Sequence, residues 1–144
     1  MCLPYLRKAG LIPEAPEPDA SDAAKEKYRV EVLEYARRVI PLEIERMKML
    51  SEVTDLVGFF FKPLDYPNGY DEKAVAKWLG VAHLKPMLEK EIAALEALPA
   101  WTVEAIETVV RAIGEELSVK FADVIHPTRV AATGQTVGPG LFET

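Results

Sequence analysis

The sequence holds a single cysteine, Cys2, and only two histidines, His83 and His126. One thiol excludes an internal disulfide and leaves nothing for a redox pair. Neither histidine stands at zinc-ligand spacing from Cys2 and no HExxH occurs, so both read as packing or loop histidines. Long apolar runs are missing as well. The longest, Val57 to Phe61, is far too short to cross a bilayer. The opening Met1-Cys2-Leu3-Pro4-Tyr5-Leu6-Arg7-Lys8 has neither the apolar core nor the cleavage pattern of a signal peptide. There is no GxGxxG and no Walker motif, and the glycines from Gly134 to Gly140 follow no strand pattern and precede no lysine. Ser51 and Ser118 lack a G-x-S-x-G setting, and nothing selects two carboxylates as an acid–base pair. These absences argue against a self-contained enzyme and against a membrane, and favour the cytoplasm.

What is present is enough to fold. The chain has 144 residues, 49% hydrophobic and 28% charged, and a chain of this length buries roughly 70% of the surface its unfolded form exposes. The formal net charge is −6, which alone speaks against a nucleic-acid partner. The distribution is uneven, however. Acids gather at Glu14 to Glu34 and Glu89 to Glu116, and bases at Arg37, Arg38, Arg46 and Lys48 and again at Arg111, Lys120 and Arg129.

No segment alternates as a strand, and the apolar spacing is helical almost throughout. Tyr5, Leu6 and Ala9 end a short helix at Gly10. Ser21 or Asp22 caps a long helix to about Ile40, striped by Ala24, Tyr28, Val32, Tyr35 and Val39. Leu42 to Leu50 reads as helical, and Ser51 as the cap of the next helix. Lys62 to Tyr70, with two prolines and Asn68-Gly69, is loop and the best boundary, giving lobes 1–62 and 63–144. Asp71 caps a short helix to Leu79. A further helix from about Lys85 carries Leu88, Ile92 and Leu95 inside. Thr102 caps one striped by Val103, Ile106, Val110, Ile113 and Leu117. A short helix over Lys120 to Ile125 and another from Pro127 complete the series. The expected fold is all-α: a compact cage of about eight to ten short helices in two packed lobes, since helices this short are marginal alone. Phe59 to Phe61, Trp78 and Trp101 are expected in the core.

Three strings then carry a resemblance. Pro4-Tyr5-Leu6-Arg7-Lys8-Ala9-Gly10-Leu11 resembles the segment after the catalytic half of bacterial-type glutamyl-tRNA synthetases. Glu45-Arg46-Met47-Lys48-Met49-Leu50-Ser51-Glu52, with Phe59-Phe60-Phe61 beyond it, resembles their arginine-bearing helix and Phe-rich stretch. His126-Pro127-Thr128-Arg129-Val130-Ala131-Ala132-Thr133-Gly134 followed by Gly138-Pro139-Gly140-Leu141-Phe142-Glu143 looks like the family's P-x-R-x-A-x-T-G…x-P-G-L-F-E signature. Trp101 to Arg111 fits its W-T-x-x-x-I/L-E helix. The likeness covers almost the whole chain. HIGH-type and KMSKS-type motifs are not present, and family members continue past Glu143 into a Leu-Gly-rich helix. The expectation is a piece of such an enzyme, inactive alone, with ATP and magnesium belonging to the absent catalytic domain and no cofactor in this chain.

The resemblance implies a module that binds the anticodon loop of a glutamate tRNA, as a monomer and without DNA. It gives Arg46 the third anticodon base, with an arginine there going with enzymes that accept only the glutamate tRNA. It gives Arg129 the middle of the anticodon, Arg111 a place near the stem-loop, and Pro139, Gly140 and Leu141 the packing against a base. Each has a plainer reading. Arg46 pairs with Glu43 or Glu45, Arg111 with Glu107 or Glu115, Arg129 is a surface arginine, and Pro139 to Leu141 is a tight turn with a core leucine. Pro127 is expected to put Arg129 in or just before a first helical turn, near free backbone N–H groups. Gly138 stands where the family often has Ser or Thr, so a hydroxyl contact is not available there. Lys48 and Lys120 are possible phosphate contacts. The rival reading is a helical protein–protein interaction module, which the acidic helices would suit.

Overall fold

A computed structural model describes residues 1–143, the side chain of Glu143 excepted. It is all-α, with no strand among the described residues and one isolated bridge between Asp65 and Asn68. The helices are α1 Leu3–Lys8, α2 Asp22–Tyr28, α3 Glu34–Val39, α4 Val53–Phe61, α5 Glu72–Ala74, α6 Leu84–Glu96, α7 Val103–Glu116 and α8 Phe121–Thr133. A π-type stretch, Arg29–Leu33, joins α2 to α3, and another, Val75–Leu79, extends α5. With α5 only three residues long, seven helices remain, slightly fewer than the sequence suggested. No helix among the described residues is long and apolar enough to cross a membrane. The chain divides into two compact units, Met1–Pro63 and Leu64–Thr144.

In the first unit, α1 ends as its glycine requires. Gly10 stands at φ 64°; its N–H donates to the Arg7 carbonyl and that of Leu11 to the Leu6 carbonyl. This paired closure needs a left-handed residue, which glycine takes without steric cost. The Ser21 hydroxyl accepts from the Ala24 N–H and caps α2. The proline-rich linker is tied back by Tyr28, whose hydroxyl accepts from Arg7 and donates to the Pro13 carbonyl. Leu6, Ile12, Val39, Val53 and Val57 form the core, with Leu11, Val32, Phe60 and Phe61 around it. Tyr35, on the expected stripe, is half out of it: its ring meets Phe61 edge-on and its hydroxyl donates to the Phe60 carbonyl.

Residues 40–52 depart from expectation. Ile40–Glu43 and Leu50–Glu52 are tight 3₁₀ turns, with no α-helix between them. The N–H groups of Lys48 and Met49 both donate to the Glu52 carboxylate rather than to a helical carbonyl. That carboxylate closes the turn before α4, whose own first N–H groups receive no side-chain cap, and Ser51 offers its carbonyl to the Thr54 hydroxyl. A charged acceptor for two backbone donors is worth more than a neutral serine cap.

The second unit is built on α6, α7 and α8. Met87, Val110, Ile113 and Val124 form its core, with Leu84, Leu88, Ile106, Phe121 and Phe142 packed on it. Asp71 and Thr102 cap α5 and α7 as read, accepting from Ala74 and Ala105. Three expectations fail here. Ile92 is 57% exposed while Glu91, beside it, is 2% exposed. Leu88 still packs on the core, but at this turn of α6 it is Glu91 that lies inside, where its carboxyl meets a hydroxyl partner on α8. Trp101 is 68% exposed, since it falls just outside α7, before its cap Thr102. Finally, α8 does not break at Pro127. Proline has no N–H for the carbonyl four residues back, that of Asp123. His83 Nε2 lies 3.1 Å from that carbonyl oxygen, which only accepts, so the imidazole donates there in place of the missing N–H.

Candidate functional site

The uninterrupted α8 relocates Arg129. It lies in the second half of the helix, not in a first turn, so its backbone neighbours are engaged in helical bonds. Its side chain is what remains to offer. The guanidinium Nη1 donates to the Pro139 carbonyl in a short hydrogen bond. Arg129 is half-buried and Pro139 buried, while Gly140 is exposed and Leu141 half-buried at the start of a 3₁₀ turn, Leu141–Glu143. Four of the six candidates, Arg129, Pro139, Gly140 and Leu141, therefore come together. Gly138 is part of this. A Cβ added there would stand 3.3 Å from Arg129 Nη1, so glycine lets the tail lie close against the guanidinium.

The end of α8 positions this tail. Gly134 turns the chain at φ 74°, its N–H donating to the Val130 carbonyl. The Thr133 hydroxyl donates to the Arg129 carbonyl and accepts from the Gln135 N–H. The Asn68-Gly69 loop closes on the same point: the Asp71 N–H donates to the Gly134 carbonyl and the Tyr70 hydroxyl to that of Ala131. Between this loop and the bends after Gly134 is an open polar recess of about 380 Å³, bordered by Tyr70, Asp71, Gln135 and Thr136.

Arg111 is held differently. Its Nε and Nη2 donate to Glu107, the partner four residues back, and its guanidinium lies 4.0 Å over the Phe121 ring. Phe121 stacks in turn toward Phe142, with centroids 6.4 Å apart. Arg111 thus reaches the tail's surroundings through two aromatic rings. Phe121 was not singled out in the sequence, where its only signal was the basic pair Arg111 and Lys120.

Arg46 belongs to the first unit. Its Nη1 donates to Glu43 Oε1 at 3.1 Å, and Glu43 is fully buried. Of its two plainer partners, Glu43 is engaged. Trp78, also expected in the core, is half-buried and stacks on His126 with centroids 4.4 Å apart, with Lys77 Nζ 4.6 Å from the Trp78 ring centre. No group of three or more His, Cys, Asp or Glu among the described residues could hold a metal ion.

The described residues form all-helical units, in the second of which Arg129 of α8 is hydrogen-bonded to the tail at Pro139. Comparison with known proteins makes this specific. The family described as "Anticodon binding domain" matches residues 2–144, and the chain belongs to that family. It is similar to glutamate–tRNA ligases: 32% identical over 144 residues to that of Moorella thermoacetica, covering 99% of this chain and 26% of the relative. To that of Herpetosiphon aurantiacus it is 37% identical over 142 residues, covering 98% and 26%. The chain thus spans about a quarter of the length of these relatives. A solved glutamate tRNA ligase from Elizabethkingia meningosepticum, in complex with its amino acid, shares the fold, with a TM-score of 0.67 at 22% identity over 99% of this chain and 24% of that one.

Proposed function

We propose that this chain is the anticodon-reading module of a glutamate–tRNA ligase, binding the anticodon loop of glutamate tRNA as a cytoplasmic monomer. The observation that carries the reading is the Arg129–Pro139 hydrogen bond. It joins the two halves of the signature motif, so that an arginine, a proline ring, an exposed glycine backbone and a leucine stand side by side. Such a set suits an unstacked loop base: a guanidinium for its edge or phosphate, and the half-buried Leu141, backed by the buried proline, for its face. The recess beside Tyr70 and Thr136 has the volume for a nucleobase next to this tail. In this scheme Arg46 takes the third anticodon base and favours the glutamate tRNA. Arg111, flattened on Phe121, serves the stem-loop. ATP and magnesium chemistry falls to the remainder of the ligase.

The test is a salt-varied titration with a glutamate-tRNA anticodon stem-loop, a scrambled-anticodon control and an Arg129→Ala variant. Affinity that falls with salt, prefers the native loop and weakens by about 1–3 kcal/mol in the variant is the expected result. Equal binding to both loops, insensitive to Arg129, overturns the reading. Salt-insensitive capture of a protein partner would favour a helical protein-interaction module instead.

A further inference from the structure

Glu91 has no part in the scheme above, yet it is 2% exposed. Its carboxyl oxygens lie 2.8 and 2.9 Å from Thr128 Oγ1 on α8, and the same Oγ1 lies 2.8 Å from the Val124 carbonyl oxygen. Were Glu91 ionised, all of these oxygens would be acceptors, and the Thr128 hydroxyl has one proton to share among them. At least one bridging contact would then be two oxygens at hydrogen-bond distance with no hydrogen between. With a proton on Glu91 the acid donates to Thr128 Oγ1 and the Thr128 hydroxyl to the Val124 carbonyl, so one of the three contacts lacks a hydrogen where the ionised form leaves two.

Among the described residues no ion pair to Glu91 occurs. The basic side chains on the helices around it meet other groups, Lys85 of α6 pairing with Glu89. Lys90 of α6 pairs with Glu116 of α7, and Arg111 of α7 with Glu107. On α8, Arg129 donates to Pro139, His126 stacks on Trp78, and the Asp123 carbonyl takes the proton of His83. Burial pushes the Glu91 carboxyl above its ordinary value, with the Thr128 bond acting in the opposite direction.

We propose that Glu91 is held as the uncharged acid in the folded chain and acts as a positioning residue, fixing through Thr128 the turn of α8 that presents Arg129. The part played by Arg129 rests on the anticodon reading; the protonation of Glu91 does not. The sign follows from linkage. The folded state keeps a proton that the unfolded chain releases, so folding weakens as pH rises from the unfolded value toward the folded one.

Two arms test this. The first needs no variant and no RNA: the carboxyl carbon resonance of Glu91 in uniformly labelled wild-type protein, followed from pH 4 upward. At pH 6 an exposed glutamate is ionised in about 98 of 100 molecules; the Glu91 resonance is expected still to sit at the acid position there, and a carboxylate position overturns the proposal. The second compares Glu91→Gln, which keeps a neutral donor toward Thr128, with wild type from pH 5 to 8. The ratio of their folding constants should grow by up to about tenfold per pH unit until Glu91 ionises. Stem-loop affinity should decline with pH in wild type beyond any decline in the variant. A constant folding ratio, or parallel affinity curves, sinks the positioning role. Absence of stem-loop binding in both proteins, with the acid resonance intact, counts against the anticodon reading and leaves the protonated acid standing.

Discussion

Replacing Gly134 by alanine tests the hinge on which the candidate site depends. Two costs add. The residue stands at φ 74°, where an L side chain costs about 1–2 kcal/mol. Its new Cβ would also lie 2.5 Å from the Gly69 carbonyl oxygen and 3.3 Å from Tyr70 Cα. Both obstacles are backbone, so the 69–71 loop must retreat. That retreat stretches the Asp71 N–H bond to the Gly134 carbonyl and the Tyr70 bond to Ala131, both 2.9 Å and each worth about 1 kcal/mol. Against this, alanine stiffens the unfolded chain by roughly 0.4–1 kcal/mol in favour of folding. The balance is a loss of about 2–4 kcal/mol. Trp78 and Trp101 both lie in the second unit, so urea unfolding followed by tryptophan fluorescence reads that unit directly. The midpoint should fall by roughly 1–2 M at an m-value of about 2 kcal/mol/M. Gly58→Ala, followed by circular dichroism, is the contrast. Gly58 is inside α4 and its added Cβ would meet nothing closer than Leu11 Cδ1 at 3.8 Å, so alanine should stabilise by about 0.5–1 kcal/mol. A Gly134→Ala loss below about 0.5 kcal/mol would refute the reasoning, since it lies within the range of an ordinary surface substitution.

Three further outcomes are expected. His83→Ala strands the Asp123 carbonyl at the cost of about 1–3 kcal/mol, and this loss should shrink in a Pro127→Ala background, where a helical N–H becomes available; an additive double-mutant cycle would show that His83 does not stand in for the proline. Ser118 closes α7 at φ 54° with its N–H on the Glu115 carbonyl and that of Val119 on Gly114, so Ser118→Gly should raise the second unit's stability by roughly 1 kcal/mol, read from the same fluorescence transition. Glu52 is held below its ordinary value near 4.5 by the Met49 N–H first and the Lys48 N–H second; its contribution is present above that value and lost as pH falls through the lower folded one, so Glu52→Gln should destabilise at pH 7 and converge with wild type in acid, in thermal melts of both.

The interactions legible in the sequence span a few residues. Ser21, Asp71 and Thr102 cap their helices from three positions away, and Gly10 and Gly134 end theirs within one turn. The α7 stripe holds at Val110 and Ile113, because a helix face repeats on its own geometry. The signature residues of the site were visible in the same way, as types in order. What escaped depends on partners brought from afar. Pro127 stays inside α8 because His83, part of no local pattern, reaches the Asp123 carbonyl across 40 residues. Glu91 rather than Ile92 faces inward because Thr128 waits 37 residues on. The turns at 40–52 replace a helix because Glu52 draws two backbone donors, and Trp101 stays in water because its position is outside a helix end. Arg129 and Pro139 were each readable, but their hydrogen bond was not. Local sequence sets which backbone states are cheap; only the folded chain decides which distant group satisfies a carbonyl, a carboxyl or a guanidinium, and so which residues become one site.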